Sequence, residues 1–374
     1  MGFVLFVVNS SAARLALRWG GVFRYLFTRN TPCLPTMEKT RFAFIGFQHP
    51  HIWDLVARAT AHPAVEVVAC CEEDAATREA LAANGKARIT HSDYRAMLAT
   101  EKIDVVVVGE WFAKRGRVVI AALQSGRHVL ADKPMCTTLA EFEEIRHLAT
   151  TRKLTVGMML DMRDSGVFRK VRELVRGGAI GEIRAVALGG QHPLLPGVRA
   201  PWYHEAGKHG GTINDMAVHG LDLVPWLTGL DCRRVVAART WQAGPPAGSH
   251  FRNAGQFMLE LENGAGLVAD VSYVAPNSHG YTLPLYWRVT LWGSGGVLEA
   301  SLPVKEITLY PEGEKTARVV PAGEAAPGGY LESFLAELHG RPGAGLTARE
   351  IFRTTEVALK VQEAADKGLL NAPL

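Results

Sequence analysis

A lysine, an aspartate and a histidine that converge on one hydroxyl group can remove its proton and stabilise the oxygen left behind. Lys133 in HVLADKPMCTT, with Asp215 and His219 in HGGTINDMAVHGLDLVPWLTG, offer that set. Imidazole titrates near neutrality and suits a general base, and an ammonium group stabilises negative charge that develops on oxygen. From Asn214 to Leu227 the spacing predicts a helix, with Asp215, His219 and Asp222 at i, i+4 and i+7, on or near one face. Met216, Val218, Leu221, Leu223 and Trp226 make the same helix apolar, so its polar line faces a cleft rather than open water; a solvated acidic stripe is the alternative. Lys133, followed by Pro134, stands at the carboxyl end of a predicted strand, where parallel sheets bind ligands; a surface lysine is the alternative there.

The stretch AFIGFQHPHI reads as a buried strand running into a turn at Gly46. A dinucleotide loop would continue G-x-G-x-x-G, because a tight turn and close approach to a diphosphate need residues without Cβ. Here Gln48 takes the place of the second glycine and His51 that of the third. His49 and His51 either satisfy the turn's own backbone or touch a ligand. Glu72, 26 residues after Gly46 at the end of the second strand, is where a carboxylate would hydrogen-bond the adenosine ribose; a solvated acid at a helix start is the other reading. With Glu73 beside it, Glu72 would repel a 2′-phosphate, and Arg78 lies about a turn and a half down the next helix, too far to offset this unless it folds back. NAD is therefore expected over NADP. The Gly/Pro/His loop QHPLLPGVRAPWYHEAGKHGG precedes the Asp215 helix and reads as a substrate cover or as an ordinary crossover. Asp215 and His219 with His204 or His209 could in principle ligate zinc, but no H-E-x-x-H or C-x-x-C frame accompanies them, and no metal is expected.

These residues need a scaffold. From Arg41 to about Met158 short apolar runs (RFAFIG, VEVVACC, DVVVVG, HVLADKP, LTVGMM) alternate with amphipathic helical stretches, the pattern of a parallel sheet covered on both faces. After about residue 161 strands follow one another without helices, as in AGQFMLELENGAGLVADVSYV and YWRVTLWGSGGVLEASL, with Asn263-Gly264 as a two-residue hairpin signal. The expected fold is α/β: a Rossmann-like doubly wound parallel sheet at 37–160, then at 161–374 an α+β domain with a large open, mostly antiparallel sheet that binds substrate and mediates oligomerisation.

The charge pattern narrows the function classes. The formal charge of +4 comes from Arg14, Arg18, Arg24 and Arg29, since residues 1–36 carry no acid and the remainder balances 37 basic against 37 acidic residues. A neutral body argues against nucleic acid. Residues 1–36 read as a leader or a mis-assigned start with Met37 as the true one; the apolar run Phe3 to Val8 is too short to span a bilayer, and no membrane partner is expected. Five cysteines without a C-x-x-C fit a reducing, cytoplasmic compartment.

Together, AALQSGRHVLADKPMCTTLAEF, ELVRGGAIGEI and GGTINDMAVHGLDLVPWLTG resemble, in order and spacing, the glucose-fructose oxidoreductase, inositol dehydrogenase and MocA family (Gfo/Idh/MocA), from about Arg41 to Gly368. Asp132 replaces the glutamate of the family's E-K-P. The resemblance puts Lys133, Asp215 and His219 on catalytic positions and Gly46 and Glu72 on nucleotide positions. Gln48, His49, His51, Glu110, Asp132 and Lys133 complete the expected cofactor contacts, and His204, His209 and Asp222 are the expected substrate contacts. Two departures, G-F-Q-H-P-H for the glycine loop and VVVVGEWFAKRG without T-P-N-x-x-H, both touch the dinucleotide. The resemblance implies an NAD-dependent dehydrogenase of a sugar, polyol or carbohydrate acid, homodimeric or homotetrameric. A non-catalytic nucleotide- or sugar-binding regulator, or a lyase or glycosidase that uses tightly held NAD transiently, are the alternatives.

Overall fold

Val105 to Val108 are four consecutive valines, each fully buried. β-Branched side chains suit the pleat, and burial on both faces requires layers above and below. The computed structural model, which describes residues 38–342 and 345–374, supplies those layers. The expected leader lies outside the described residues.

The first sheet is built from β1 (Thr40–Ile45), β2 (Val65–Cys71), β3 (Val105–Val108), β4 (His128–Ala131) and β5 (Val156–Met158). Interleaved with them are helices α1 (Ile52–Ala61), α2 (Ala75–Asn84), α3 (Tyr94–Thr100), α4 (Phe112–Gln124) and α5 (Leu139–Arg152). All strand pairs are parallel, in the order β2-β1-β3-β4-β5. The register aligns Ile45 with Cys71 and Val108, and Val108 with Ala131. As a result Gly46, Glu72, Glu110, Asp132 and Lys133 all emerge at one edge of the sheet, the edge where open α/β sheets bind ligands.

The chain then forms α6 (Gly166–Arg176), β6 (Ile183–Pro193), α7 (Val218–Thr228), β7 (Cys232–Trp241), β8 (Ala254–Leu261), β9 (Gly266–Ala275), β10 (Trp287–Gly293), β11 (Gly296–Ser301), β12 (Glu306–Pro311) and β13 (Arg318–Pro321). It closes with α8 (Gly329–Leu338), α9 (Ala348–Lys367) and β14 (Ala372–Pro373). Nine strands make the second sheet, in the order β13-β12-β11-β10-β6-β9-β8-β7-β14. It is antiparallel except for β6 beside β9. The hairpin at Asn263-Gly264 is longer than a two-residue turn. Leu261 N donates to Ala265 O, and Gly264 takes φ +84°, so the connection is bulged.

Long helix α9 starts on a capping box, Thr347 with Glu350. It packs against β7 of the second sheet and β5 and α5 of the first, so both sheets belong to one compact unit, Lys39–Leu374. No helix among the described residues is long and apolar enough to cross a membrane.

Candidate active site

Two polar ties hold the start of the site helix, one to the chain just past β4 and one to α9. Asn214 Nδ2 donates to Cys136 O at 2.9 Å, just past Lys133, and Gln362 Oε1 from α9 accepts the N–H groups of Ile213 and Asn214 at 3.0 and 3.3 Å. The helix begins as a π-turn over Ile213–Ala217 and continues as α7. Gly211 enters that turn at φ +101°, where a Cβ would lie 2.2 Å from Gln362 Cδ, so close approach as well as dihedral angle demands glycine.

Lys133 Nζ donates to Asp215 Oδ1 at 2.7 Å and to Asp215 O at 3.1 Å. The other carboxylate oxygen accepts the Tyr273 hydroxyl from β9, and His209 Nε2 stands 3.3 Å away without hydrogen-bond geometry. Burial alone would raise the Asp215 carboxyl, but Lys133 and His209 hold it well below the usual carboxylate range. Burial pushes the Tyr273 hydroxyl up, so it stays a neutral donor. His219 is 6% exposed, packs on Trp287 at 5.5 Å between ring centres, and leaves Nδ1 unpartnered 4.0 Å from Asp161 Oδ1. Burial, then the positive charge of Lys133, hold its pKa well below the ordinary histidine value, so the imidazole is neutral and can accept a proton.

The expected substrate contacts are not all brought to this cluster. Asp222 is fully buried and takes both Arg163 Nε (2.7 Å) and Nη2 (2.5 Å), with Glu350 on the same guanidinium. The π-turn is the physical reason: a wider turn ahead of α7 breaks the simple i, i+4, i+7 alignment, and Asp222 faces Arg163. His204 hydrogen-bonds Ser249. His209 lies behind Asp215, its ring 4.4 Å from that of Phe251. Several residues around the cluster were not singled out from sequence. Tyr273 and Arg115 act on Asp215 and Asp132, and His192 on β6 packs among Tyr273, Tyr286 and Trp287. Arg199 lies over the rings of Tyr203 and Tyr273. His192 and Arg199 sit in the Gly/Pro/His stretch that marked a possible cover, but only β9 pairing reveals Tyr273.

The loop after β1 takes its own course. Gly46 has φ +81°, and a Cβ there would meet Glu110 Cγ at 2.5 Å, so Glu110 explains the glycine. Phe47 N donates to Glu72 Oε2 at 2.8 Å, His49 N to Gly109 O at 3.2 Å, and Trp202 Nε1 to Gln48 O at 3.2 Å. Gln48 Nε2 donates to Thr77 Oγ1 at 2.9 Å. Glu72 also accepts Asp74 N, and Glu110 pairs with Lys114, which reaches Glu73 as well. Arg78, expected to be out of reach, folds back: its Nη1 donates to the carbonyls of Glu72 (3.0 Å) and Glu73 (2.7 Å). Asp132 is fully buried and bonded by Arg115 Nη2 at 2.7 Å and His49 Nδ1 at 2.5 Å, with His51 Nδ1 3.5 Å away.

For a dinucleotide, these residues still leave a place. Among the described residues the N–H groups of Gln48 and His51 show no hydrogen-bond partner, and both lie in the turn that leads into α1, whose own first N–H groups bond to His49 O, Pro50 O and His51 O. Glu72 is buried and accepts Phe47 N, Asp74 N and, at 3.4 Å, Gln48 Nε2, which leaves it one of its roughly four acceptor positions at the β2 end. The loop fits the group with fewer backbone donors than a glycine-rich one.

Comparison with known proteins agrees with this architecture. Residues 40–160 match "Oxidoreductase family, NAD-binding Rossmann fold", and residues 168–299 match the "GFO/IDH/MocA C-terminal domain". The chain is similar to inositol 2-dehydrogenase 3 of Saccharopolyspora erythraea, 27% identical over 222 residues, 58% of this chain and 61% of that one. It is 28% identical over 240 residues to dTDP-3,4-didehydro-2,6-dideoxy-α-D-glucose 3-reductase of Saccharopolyspora spinosa, 62% of this chain and 65% of that one. Alignment thus spans roughly half to two thirds of these curated relatives, 46% in another case. A solved oxidoreductase from Agrobacterium radiobacter, in complex with NAD+, L-tartaric acid and magnesium, shares the fold at a TM-score of 0.73, 16% identity, and coverage of 89% of this chain and 98% of that one. Matched in both halves, the chain belongs to the GFO/IDH/MocA family of NAD-binding Rossmann-fold oxidoreductases.

Proposed function

We propose that this oxidoreductase transfers a hydride between NAD and a secondary hydroxyl carbon of a sugar, polyol or carbohydrate acid. The observation that carries the reading is the buried Lys133–Asp215 pair beside a neutral, unpartnered His219. Bound NAD supplies the hydride acceptor. The loop N–H groups of Gln48 and His51 would meet its diphosphate, and Glu72 the adenosine ribose. As the hydride leaves carbon, the hydroxyl proton passes to His219, and Lys133 donates to the same oxygen while its negative charge develops. Asp215 is the positioning residue: held by Tyr273, it fixes the ammonium in a site too buried for water to compete.

The relatives named above act on an inositol and on a dTDP-linked sugar, which supports a polyhydroxylated substrate. The second sheet's open face, with Met258 and Val268 side by side and 45% and 46% exposed, suits a homodimer or homotetramer. A regulator that binds without reacting is the second reading, favoured by the internal bonds of Phe47 N and His49 N. Absorbance of the reduced nicotinamide band, followed on adding NAD and a panel of sugars, polyols and sugar acids, tests both. Net reduction of NAD is expected; binding of NAD with no reduction across the panel would favour the regulator.

A further inference from the structure

We infer that His49, His51 and Asp132 form a binding site for one divalent metal ion of the zinc class, with coordination positions left open beside Lys133. The argument starts from the turn His49-Pro50-His51, which aims two imidazoles at one carboxylate. One ring nitrogen of each histidine and one Asp132 oxygen lie within 4.8 Å of one another, the set a metal ion can share.

Satisfaction of these atoms is uneven. Asp132 Oδ2 is well served, by Arg115 Nη2 at 2.7 Å and His49 Nδ1 at 2.5 Å. Asp132 Oδ1 and His51 Nδ1 face each other at 3.5 Å, and both are buried atoms without a hydrogen-bond partner. A buried carboxylate oxygen and a buried ring nitrogen in that state have each lost the water that would solvate them without gaining a partner. Their separation is too long for a good hydrogen bond. It is the separation of two ligands on one tetrahedral ion, since atoms at roughly 2.0–2.1 Å from zinc stand about 3.4 Å apart. At His49 the ion would take the place of the Nδ1 proton that now bonds Asp132, and the neutral imidazole would carry its proton on Nε2 instead.

Supporting groups are already in place. Arg115 is fully buried and fixes the Asp132 carboxylate from the side away from Oδ1, which is how second-layer partners orient metal-binding carboxylates. Ring nitrogens favour zinc-class ions over magnesium or calcium, which prefer all-oxygen cages. The His51 side chain is 42% exposed, so an ion can enter from that side. Arg115 already balances Asp132, so the ion would bring net positive charge, and a hydroxide, or an anionic oxygen from a bound ligand, would complete its shell. That charge would lie where the chain has given up two glycine positions.

The test uses cofactor-free, full-length protein made without a histidine tag and stripped with a chelator. Zinc is titrated by calorimetry, and cobalt(II) is added in parallel, because a tetrahedral site gives it intense visible bands. One equivalent of zinc is expected, with affinity reduced by about tenfold or more in His51→Ala. Asp132→Asn and His49→Gln risk the fold, so the half-exposed His51 is the deciding position, and matching circular dichroism of His51→Ala and wild type controls for folding. Substoichiometric binding by the wild type, or undiminished affinity in His51→Ala, would overturn the site. No cofactor or substrate is present, so a failure of the dehydrogenase reading leaves this measurement untouched.

Discussion

Lys133 leaves the first sheet and Asp215 the second half of the chain, yet the ammonium and carboxylate meet at 2.7 Å with both side chains out of solvent. Lys133→Met removes the cation and keeps most of the volume. Turnover should fall by orders of magnitude while NAD still binds. Stability should fall too, by about 3–5 kcal/mol, because a carboxylate is left buried and unpaired. Denaturant unfolding should show much of this loss restored in the Lys133→Met, Asp215→Asn double variant, with turnover still absent.

Neutral His219 sets the expected pH dependence. Its pKa is lowered by burial, so the base form persists below the ordinary histidine value of about 6.5. The acidic limb of kcat should therefore lie below pH 6.5 in the wild type. His219→Gln should abolish that limb along with most of the activity. An acidic limb centred above pH 6.5 would contradict the assignment.

The same burial has a stability consequence. His192, His209 and His219 all have lowered pKa values, chiefly through burial. The unfolded chain therefore takes up protons below pH 6.5 that the folded one refuses, and stability is lost as pH falls from 6.5 toward the lowered values, by about 1.4 kcal/mol per pH unit for each proton. Tm measured from pH 7 to pH 5 should drop, and less steeply in His192→Phe.

Asp222 offers a separation of structure from chemistry. Its bidentate bond with Arg163 is buried, so Asp222→Asn should cost about 3–5 kcal/mol in unfolding free energy. KM of the folded variant should stay near wild type. A large rise in KM with unchanged stability would return Asp222 to the substrate.

Cofactor preference turns on Glu72 and Arg78. The carboxylate should favour NAD over NADP, but Arg78, held against the Glu72 and Glu73 carbonyls, supplies a cation within the same turn. The preference is therefore expected to be about tenfold or less, for a difference near 1.4 kcal/mol. Titration of both cofactors measures it, and Arg78→Ala should widen it.

The parallel sheet was legible because its strands are short apolar, often Val-rich runs that alternate with amphipathic helical stretches. Lys133, Asp215 and His219 were legible because strand-end and helical spacing both bear on them. Short α3 and the edge strands β13 and β14 were not, since a few residues carry too little periodicity. Arg115 was hidden for another reason. A buried arginine on an amphipathic helix looks like a solvated one until the fold brings Asp132 to it. Arg78 shows the same limit, for a long side chain can fold back over distances that spacing along a helix does not reveal.

The π-turn at Ile213–Ala217 acts as a spacer. Inside it, Asp215 belongs to Lys133; downstream, Asp222 belongs to Arg163, which also holds Glu350 on α9. A π-turn is one extra residue taken up in a wider turn, so deleting one residue from Ile213–Ala217 would let the segment wind as an ordinary helix and re-aim the side chains within it, while the residues on either side keep their directions. Asp222 would keep its bonds to Arg163, and Asp215 would lose its aim at Lys133. One helix can thus be altered at its catalytic end by a change of length alone, without touching the packing that holds the rest of it.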